Sequence, residues 1–248
     1  MQLTPLADSQ LYRRGMTTAL AAWEVYARGA AGAEVRGGPG VAAAIFPNEP
    51  ECTVYNNAIL ERDLPAPERA AAVAAMETAY AARGVTRFAA WVHETDEPLR
   101  ADLERRGYTA DETTRAMGMP LTEILMPRPA IELGSADWDE FLRIFDLPAS
   151  LLGAADHSAF HLLFARLGDE CVATATAFDH EGYCGLYNVA TLEHARRRGL
   201  GTALTAVQLH DAAARGCRTA SVQSTEPAER LYTAVGFRDL GLILEYVP

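Results

Sequence analysis

The chain contains no lysine, so all of its positive side-chain charge at neutral pH is arginine. Together with abundant alanine and glycine, this composition suggests a GC-rich bacterial genome. No apolar run approaches the roughly 18 residues of a membrane span, so no membrane association is expected. The first residues lack a basic stretch followed by an apolar core, which argues against a secretion signal. Cysteine is sparse: Cys52, Cys171, Cys184 and Cys217 form no C-x-x-C pair, and none stands near a histidine at ligand spacing. That pattern predicts reduced, mostly buried thiols in a cytoplasmic protein and no metal site. Finally, the arginines are outnumbered. A formal net charge of −11 excludes the basic face that a general nucleic-acid binder needs.

What is present reads as an α/β chain, long enough at 248 residues for one large domain or two small ones. Asp8 to Arg28 has helical spacing of Leu11, Met16, Leu20, Trp23 and Tyr26. Val41 to Phe46 is a short apolar run, and Cys52 to Leu60 reads as a strand. Pro65 and Pro67 precede an alanine-rich helix over Glu68 to Arg83, closed by Gly84. A strand over Arg87 to Val92 and a helix over Glu97 to Arg106 follow. Met126-Pro127-Arg128-Pro129 is the best linker, since two prolines exclude a continuous helix or a central strand.

Beyond it the order recurs. A helix over Ala136 to Phe145 precedes a hairpin of Phe160 to Leu167 with Glu170 to Phe178 around Gly168-Asp169. Then come a strand over Tyr183 to Thr191, a long helix over Thr202 to Arg215 and a strand over Thr219 to Gln223. A helix over Pro227 to Val235 and strand structure over Phe237 to Val247 end the chain. Val54 to Leu60 matches Leu186 to Leu192 at an offset of 132, which Gly84 and Gly216 share. Leu103 to Tyr108 resembles Leu231 to Phe237 with a small slip. Three matches in order point to two copies of one α/β unit, residues 1–127 and 128–248, each large enough for its own core.

The chemistry concentrates after the strand ending at Thr191. Arg196, Arg197, Arg198, Gly199, Leu200, Gly201 and Thr202 form a turn at the start of the long helix. Successive N–H groups, the positive end of a helix dipole and bidentate guanidinium donors there suit a pyrophosphate, and the glycines let its oxygens approach the backbone. The alternative is a solvated basic turn ahead of an ordinary helix. The strand before, the three arginines and the long helix after favour the phosphate reading. A P-loop or dinucleotide fold fails on spacing, because neither G-x-x-x-x-G-K-[ST] nor G-x-G-x-x-G occurs there.

Arg196 to Gly201 fits the Q/R-x-x-G-x-G/A signature of the GNAT superfamily of N-acetyltransferases, and Ala228 to Phe237 resembles that family's A-x-x-L-Y-x-x-x-G-F stretch. The resemblance carries motifs over about residues 130–248 and only architecture over residues 1–127. It implies two tandem GNAT-like domains, each a mixed, mostly antiparallel sheet flanked by helices. It implies acetyl-CoA as co-substrate, held by Val189, Ala190, Thr191, the Arg196–Thr202 turn and Thr225, with an N–H of the splayed strand polarising the thioester carbonyl. It implies Tyr232 as the acid that protonates the departing thiolate, although a half-buried tyrosine on a helix face is the plainer reading.

The chain departs from the pattern at Thr225, where the family often has asparagine. The first copy departs further. Glu61 to Pro67 has no glycine, two acidic residues and two prolines, so it is expected not to bind acetyl-CoA but to wall the acceptor pocket, with loops such as Pro148 to Ser158. Glu193, His194, Glu226, His157 and His161 qualify by type as the base. The expected activity is transfer of an acetyl group to a small-molecule or peptide amine. The competing reading is an acyl-CoA sensor or scaffold without turnover. The two copies would supply the pairing that single-domain relatives obtain by dimerising, which leaves monomer and homodimer both open.

Overall fold

A computed structural model describes residues 6–134, 137–145 and 152–248. Ala136, at the expected start of one helix, and residues 148–151 of the expected acceptor loop lie outside the described residues. The chain forms two compact units, and neither is a single run of sequence. Unit one comprises Leu20–Thr114, Ala149–Asp156 and Gly241–Pro248. Unit two comprises Met1–Ala19, Arg115–Pro148 and His157–Leu240. The first helix, α1 (Asp8–Gly29), contributes its first turns to unit two and the remainder to unit one.

In unit one, β1 (Glu34–Gly38), β2 (Val41–Ile45) and β3 (Asn57–Leu60) form an antiparallel meander. Helix α2 (Ala66–Ala81) crosses over to β4 (Ala89–His93), which runs parallel to β3. Pro65 supplies the fixed φ ahead of α2. Ala72, Val73, Met76, Ala79 and Tyr80 bury the helix face that meets the sheet. Tyr80 stacks on Phe88 at 4.0 Å and donates its hydroxyl to the Ala44 carbonyl, so its one polar atom is satisfied inside the core. Helix α3 (Glu97–Arg105) starts where the Asp96 carboxylate accepts from the Leu99 amide, and it buries Leu99 and Leu103 one turn apart.

Unit two repeats that order. β6 (Phe160–Leu167), β7 (Glu170–His180) and β8 (Tyr183–Thr191) form an antiparallel meander. Helix α5 (Leu200–Ala214) crosses to β9 (Thr219–Ser224), parallel to β8, and α6 (Glu229–Val235) follows. Before the meander lies α4 (Trp138–Phe145), with Trp138, Phe141 and Leu142 buried. Two long strands are divided between the units. β5 (Thr109–Pro120) pairs Arg115–Pro120 with β9 in unit two, and β10 (Arg238–Val247) pairs Ile243–Tyr246 with β4 in unit one. Beside each parallel pair, then, lies a strand from the other half of the sequence.

The sequence-based expectations need four corrections. Only Asn57–Leu60 of the Cys52–Leu60 segment is strand. Cys52 to Asn56 is a turn, because the buried Asn56 amide accepts from the Phe46 N–H and donates to the Glu49 and Cys52 carbonyls. Strands β1 and β5 were not expected. β1 and the start of β5 are largely exposed and polar, without the apolar alternation that marks a strand. Helix α5 begins at Leu200 rather than Thr202, and α6 at Glu229 after a 3-10 turn over Glu226–Ala228. Among the described residues all four cysteines are free, no helix is long and apolar enough to cross a membrane, and no cluster of metal-type ligands occurs.

Unit one carries a buried acid with a consequence for stability. Glu245 pairs across the ladder with Trp91, and burial, then Glu112 and Asp111, push its carboxyl up to about 7 from 4.5. Folding therefore favours the protonated form. Below the unfolded value the group has no effect; between that value and about 7 its protonation in the folded state alone makes stability fall as pH rises, and above about 7 the penalty is constant. Glu245→Gln is expected to raise unfolding free energy by about 2 kcal/mol near pH 8 and by little near pH 4. Urea titrations of both proteins at the two pH values check this; an equal effect at both would refute it.

Candidate active site

The strand β8 does not stay paired with β9. Their parallel register runs from Tyr183 opposite Thr219 to Leu186 opposite Val222 and then stops. From there β9 continues on β5 as far as Ser224, while β8 continues on β7 as far as Thr191. Asn188 adopts φ 51°, and the β7–β8 register slips between Thr174 and Thr176. A residue in the left-handed region inside a ladder is the signature of a bulge, which bends the strand. The two strands thus open into a gap, and Val189, Ala190 and Thr191 have no strand partner on the β9 side.

The arginine turn closes one end of this gap. A single 3-10 turn over Glu193–Ala195 buries Ala195, after which Arg196, Arg197, Arg198 and Gly199 are exposed. Arg197 (φ 63°) and Gly199 (φ 76°) reverse the chain into α5. Gly199 caps the helix without a side chain, so the first amides of α5 have neither an intrahelical acceptor nor a capping oxygen. Arg196 donates from Nε to the Thr191 carbonyl at 3.1 Å, tying the turn to the end of β8. Arg197 and Arg198 make no ion pair among the described residues. Two uncommitted cations, open amides and a helix dipole therefore converge on one exposed point.

Gly201 lies where the turn faces the gap. A Cβ there would stand 3.1 Å from Leu231 Cδ1, 3.7 Å from Thr191 Oγ1 and 4.0 Å from Val189 Cγ1. The contact ties α5 to β8 and to α6, and it brings together Val189, Thr191 and Gly201. Tyr232, next to Leu231, is 4% exposed and meets Phe237 edge to face at 5.6 Å. Burial pushes its phenol well above the ordinary tyrosine value, so it keeps its proton at any working pH. Thr225 is exposed, and its carbonyl accepts from Ala228 N and Ser224 Oγ in the turn before α6.

The candidate bases scatter. His194 Nε2 stands 3.1 Å from Glu170 on the exposed side of the loop. Glu193 and Glu226 are exposed. His157 stacks against Trp138, and His161 faces Asp179, both on a different cleft. Two participants escaped sequence reasoning. Asn188 makes the bulge, and asparagine's tolerance of the left-handed region was the available signal. Leu231 packs where Gly201 lacks a side chain, which no local pattern reveals.

The matching turn of unit one is built differently. Asp63 also takes positive φ, at 59°, but its amide donates to the Asp96 carboxylate at 3.1 Å. Asp96 is 2% exposed, and Arg62 is engaged with Thr95. The donor that would face a phosphate is taken by the unit's own anion.

The sequence pattern described as "Acetyltransferase (GNAT) family" matches residues 121–237. A GCN5-related N-acetyltransferase from Kribbella flavida is similar at TM-score 0.70 and 17% identity, covering 99% of this chain and 96% of that one. Another from Sphaerobacter thermophilus gives 0.59 and 14% over 98% and 94% of the two chains. A tandem GNAT protein from the clavulanic acid biosynthesis pathway gives 0.55 and 12% over 99% and 97%. At these identities the likeness is one of fold. No curated protein matches the chain.

Proposed function

We propose that the chain, whose residues 121–237 match the GNAT acetyltransferase family, is an acetyl-CoA-dependent N-acetyltransferase whose single cofactor site is the gap between β8 and β9. The observation that carries this reading is the opening of those strands onto the uncapped α5 turn. Pyrophosphate would meet the open amides of Gly199 to Thr202 and the guanidinium groups of Arg196, Arg197 and Arg198. The narrow pantetheine arm would run along β8 past Gly201, whose lack of a side chain lets α5 approach Val189, Thr191 and Leu231 closely. Thr225 flanks the same opening from the start of α6.

Bound acetyl-CoA supplies an acyl group activated as a thioester. Those N–H groups of Val189 to Thr191 that face away from β7 would be fixed donors for the negative charge that develops on its carbonyl oxygen as a neutral amine attacks. Tyr232 holds the proton that the leaving thiolate requires. The amine must lose a proton too. Among the described residues no histidine or carboxylate is hydrogen-bonded at the bulge, so alignment in a ternary complex carries much of the rate. The acceptor is a small-molecule or peptide amine.

We further read residues 1–127 and 128–248 as two tandem copies of which only the second takes acetyl-CoA. Both halves carry a meander, a crossover helix and a parallel strand in the same order, and Asp96 occupies the first copy's turn. Isothermal titration with acetyl-CoA is expected to give a stoichiometry of about one per chain, with affinity falling as salt rises because the contacts are charge-assisted. Two equivalents per chain would sink the single-site reading, and no binding at all would remove the transferase reading with it.

A further inference from the structure

Unit two holds a second recess, away from the arginine turn, along β6 and the later turns of α5. It is a cleft of roughly 450 Å³ whose lining includes the rings of Trp138, His157 and Phe160 and the polar groups of His161, Gln208, Asp211 and Arg215. The strand β7 lies between β6 and the bulged strand β8.

The polar groups of this cleft share one character. Arg215, the one cation among its described lining residues, is committed, donating from Nε and Nη2 to both oxygens of Asp179 at 2.6 and 3.0 Å. His161 Nε2 stands 3.4 Å from the same carboxylate. Burial first, then the Arg215 guanidinium, lower the imidazole's affinity for a proton, with Asp179 opposing, so the ring is neutral at neutral pH. With Nε2–H directed at Asp179, Nδ1 offers a lone pair. Gln208 spends both amide hydrogens on the His161 and Ala175 carbonyls, at 2.6 and 3.1 Å, which leaves Oε1 as its free valence. Asp211 adds a carboxylate, paired only at the surface with Arg128, whose side chain is half exposed.

An imidazole lone pair, an amide oxygen and a carboxylate accept hydrogen bonds, and the remaining described polar group of the lining, His157, stacks its ring on Trp138. The walls are aromatic, and an ammonium is attracted both to a carboxylate and to an indole face. We propose that this cleft is a binding site for an arylalkyl primary ammonium, with the ammonium on Asp211, Gln208 and His161 and the ring against Trp138 and Phe160. It is a second site, independent of acetyl transfer at the β8 bulge.

Isothermal titration of the whole protein with 2-phenylethylammonium chloride, without acetyl-CoA, tests it. Saturable binding of one equivalent with Kd of about 0.1–1 mM is expected, and 2-phenylethanol, the uncharged counterpart, should bind at least about tenfold more weakly. Asp211→Asn and His161→Ala should each weaken ammonium binding, the former by at least about tenfold, while Arg128→Ala leaves it equal or tighter because the carboxylate is freed. No saturable binding up to about 10 mM, equal affinity for the alcohol, or an Asp211→Asn that changes nothing would overturn the proposal. Parallel losses in Asp211→Asn and Arg128→Ala would also overturn it, since they would trace the effect to the surface ion pair. None of these readouts depends on turnover, so the proposal can fail while the transferase reading stands, and the reverse.

Discussion

Replacing Gly201 by valine should lower kcat/KM for acetyl-CoA by about 100-fold while leaving the protein folded. The reason is positional. Gly201 sits in the first turn of α5 with its missing Cβ pointing at Leu231, Thr191 and Val189. Alanine brings one atom to 3.1 Å from the end of a flexible leucine, which can yield by a few tenths of an ångström. Its better helix propensity, worth about 1 kcal/mol, offsets that contact. Valine adds two branches at the same point, and these would press on Leu231, Thr191 and Val189 and force α5 away from the end of β8. Overpacking of this kind costs about 1–3 kcal/mol, and here it falls on the path proposed for the pantetheine arm. The expected series is therefore graded: Gly201→Ala within about tenfold of wild type, and Gly201→Val with a large rise in the KM for acetyl-CoA. Thermal melts separate a closed gap from a lost fold. Wild-type affinity for acetyl-CoA in a folded Gly201→Val protein would show that the gap is not the cofactor's path.

The turn proposed for the pyrophosphate is legible in the sequence because its parts are local. Arg196 to Thr202 is one turn, and both the need for glycine and the guanidinium donors are visible in seven consecutive residues. The gap that the turn faces was readable only through the family resemblance. It is made by the end of pairing at Leu186 and the bulge at Asn188, and strand divergence leaves no composition signal. The recurring order of elements was legible as three sequence matches in order, one of them the shared glycine offset. The interleaving of the units was not, since nothing in Thr109–Pro120 or Arg238–Val247 states which parallel pair it will lie beside. Polar, exposed residues at the start of β5 hid that strand entirely. The Cys52–Asn56 turn was misread for the opposite reason. A run with strand-like propensity was overridden by one buried side chain, Asn56, whose amide supplies the partners that a ladder would have supplied. Asp96 is a similar case. It is an ordinary helix cap in the sequence, and only the fold brings it to the Asp63 amide, 33 residues away.

Tyr232→Phe should reduce kcat by about 100-fold, the usual scale for loss of a positioned proton donor, with the KM for acetyl-CoA little changed. The substitution removes one oxygen and keeps the ring that packs on Phe237. Since the phenol forms no hydrogen bond among the described residues, its loss should cost at most about 1 kcal/mol of stability. The proposed role also makes a prediction about pH. A general acid must still hold its proton when the thiolate leaves, and burial raises the Tyr232 phenol above the ordinary tyrosine value. The donor therefore stays protonated throughout the neutral and mildly alkaline range, and kcat should not fall there through its ionisation. A purely structural tyrosine could mimic the drop in kcat but not its dependence on the leaving group. With an acyl donor whose thiol is markedly more acidic than that of CoA, the departing sulfur needs less help, and the deficit of the phenylalanine variant should shrink towards wild type. An equal deficit with both donors would assign Tyr232 to packing and leave protonation of the thiolate to solvent.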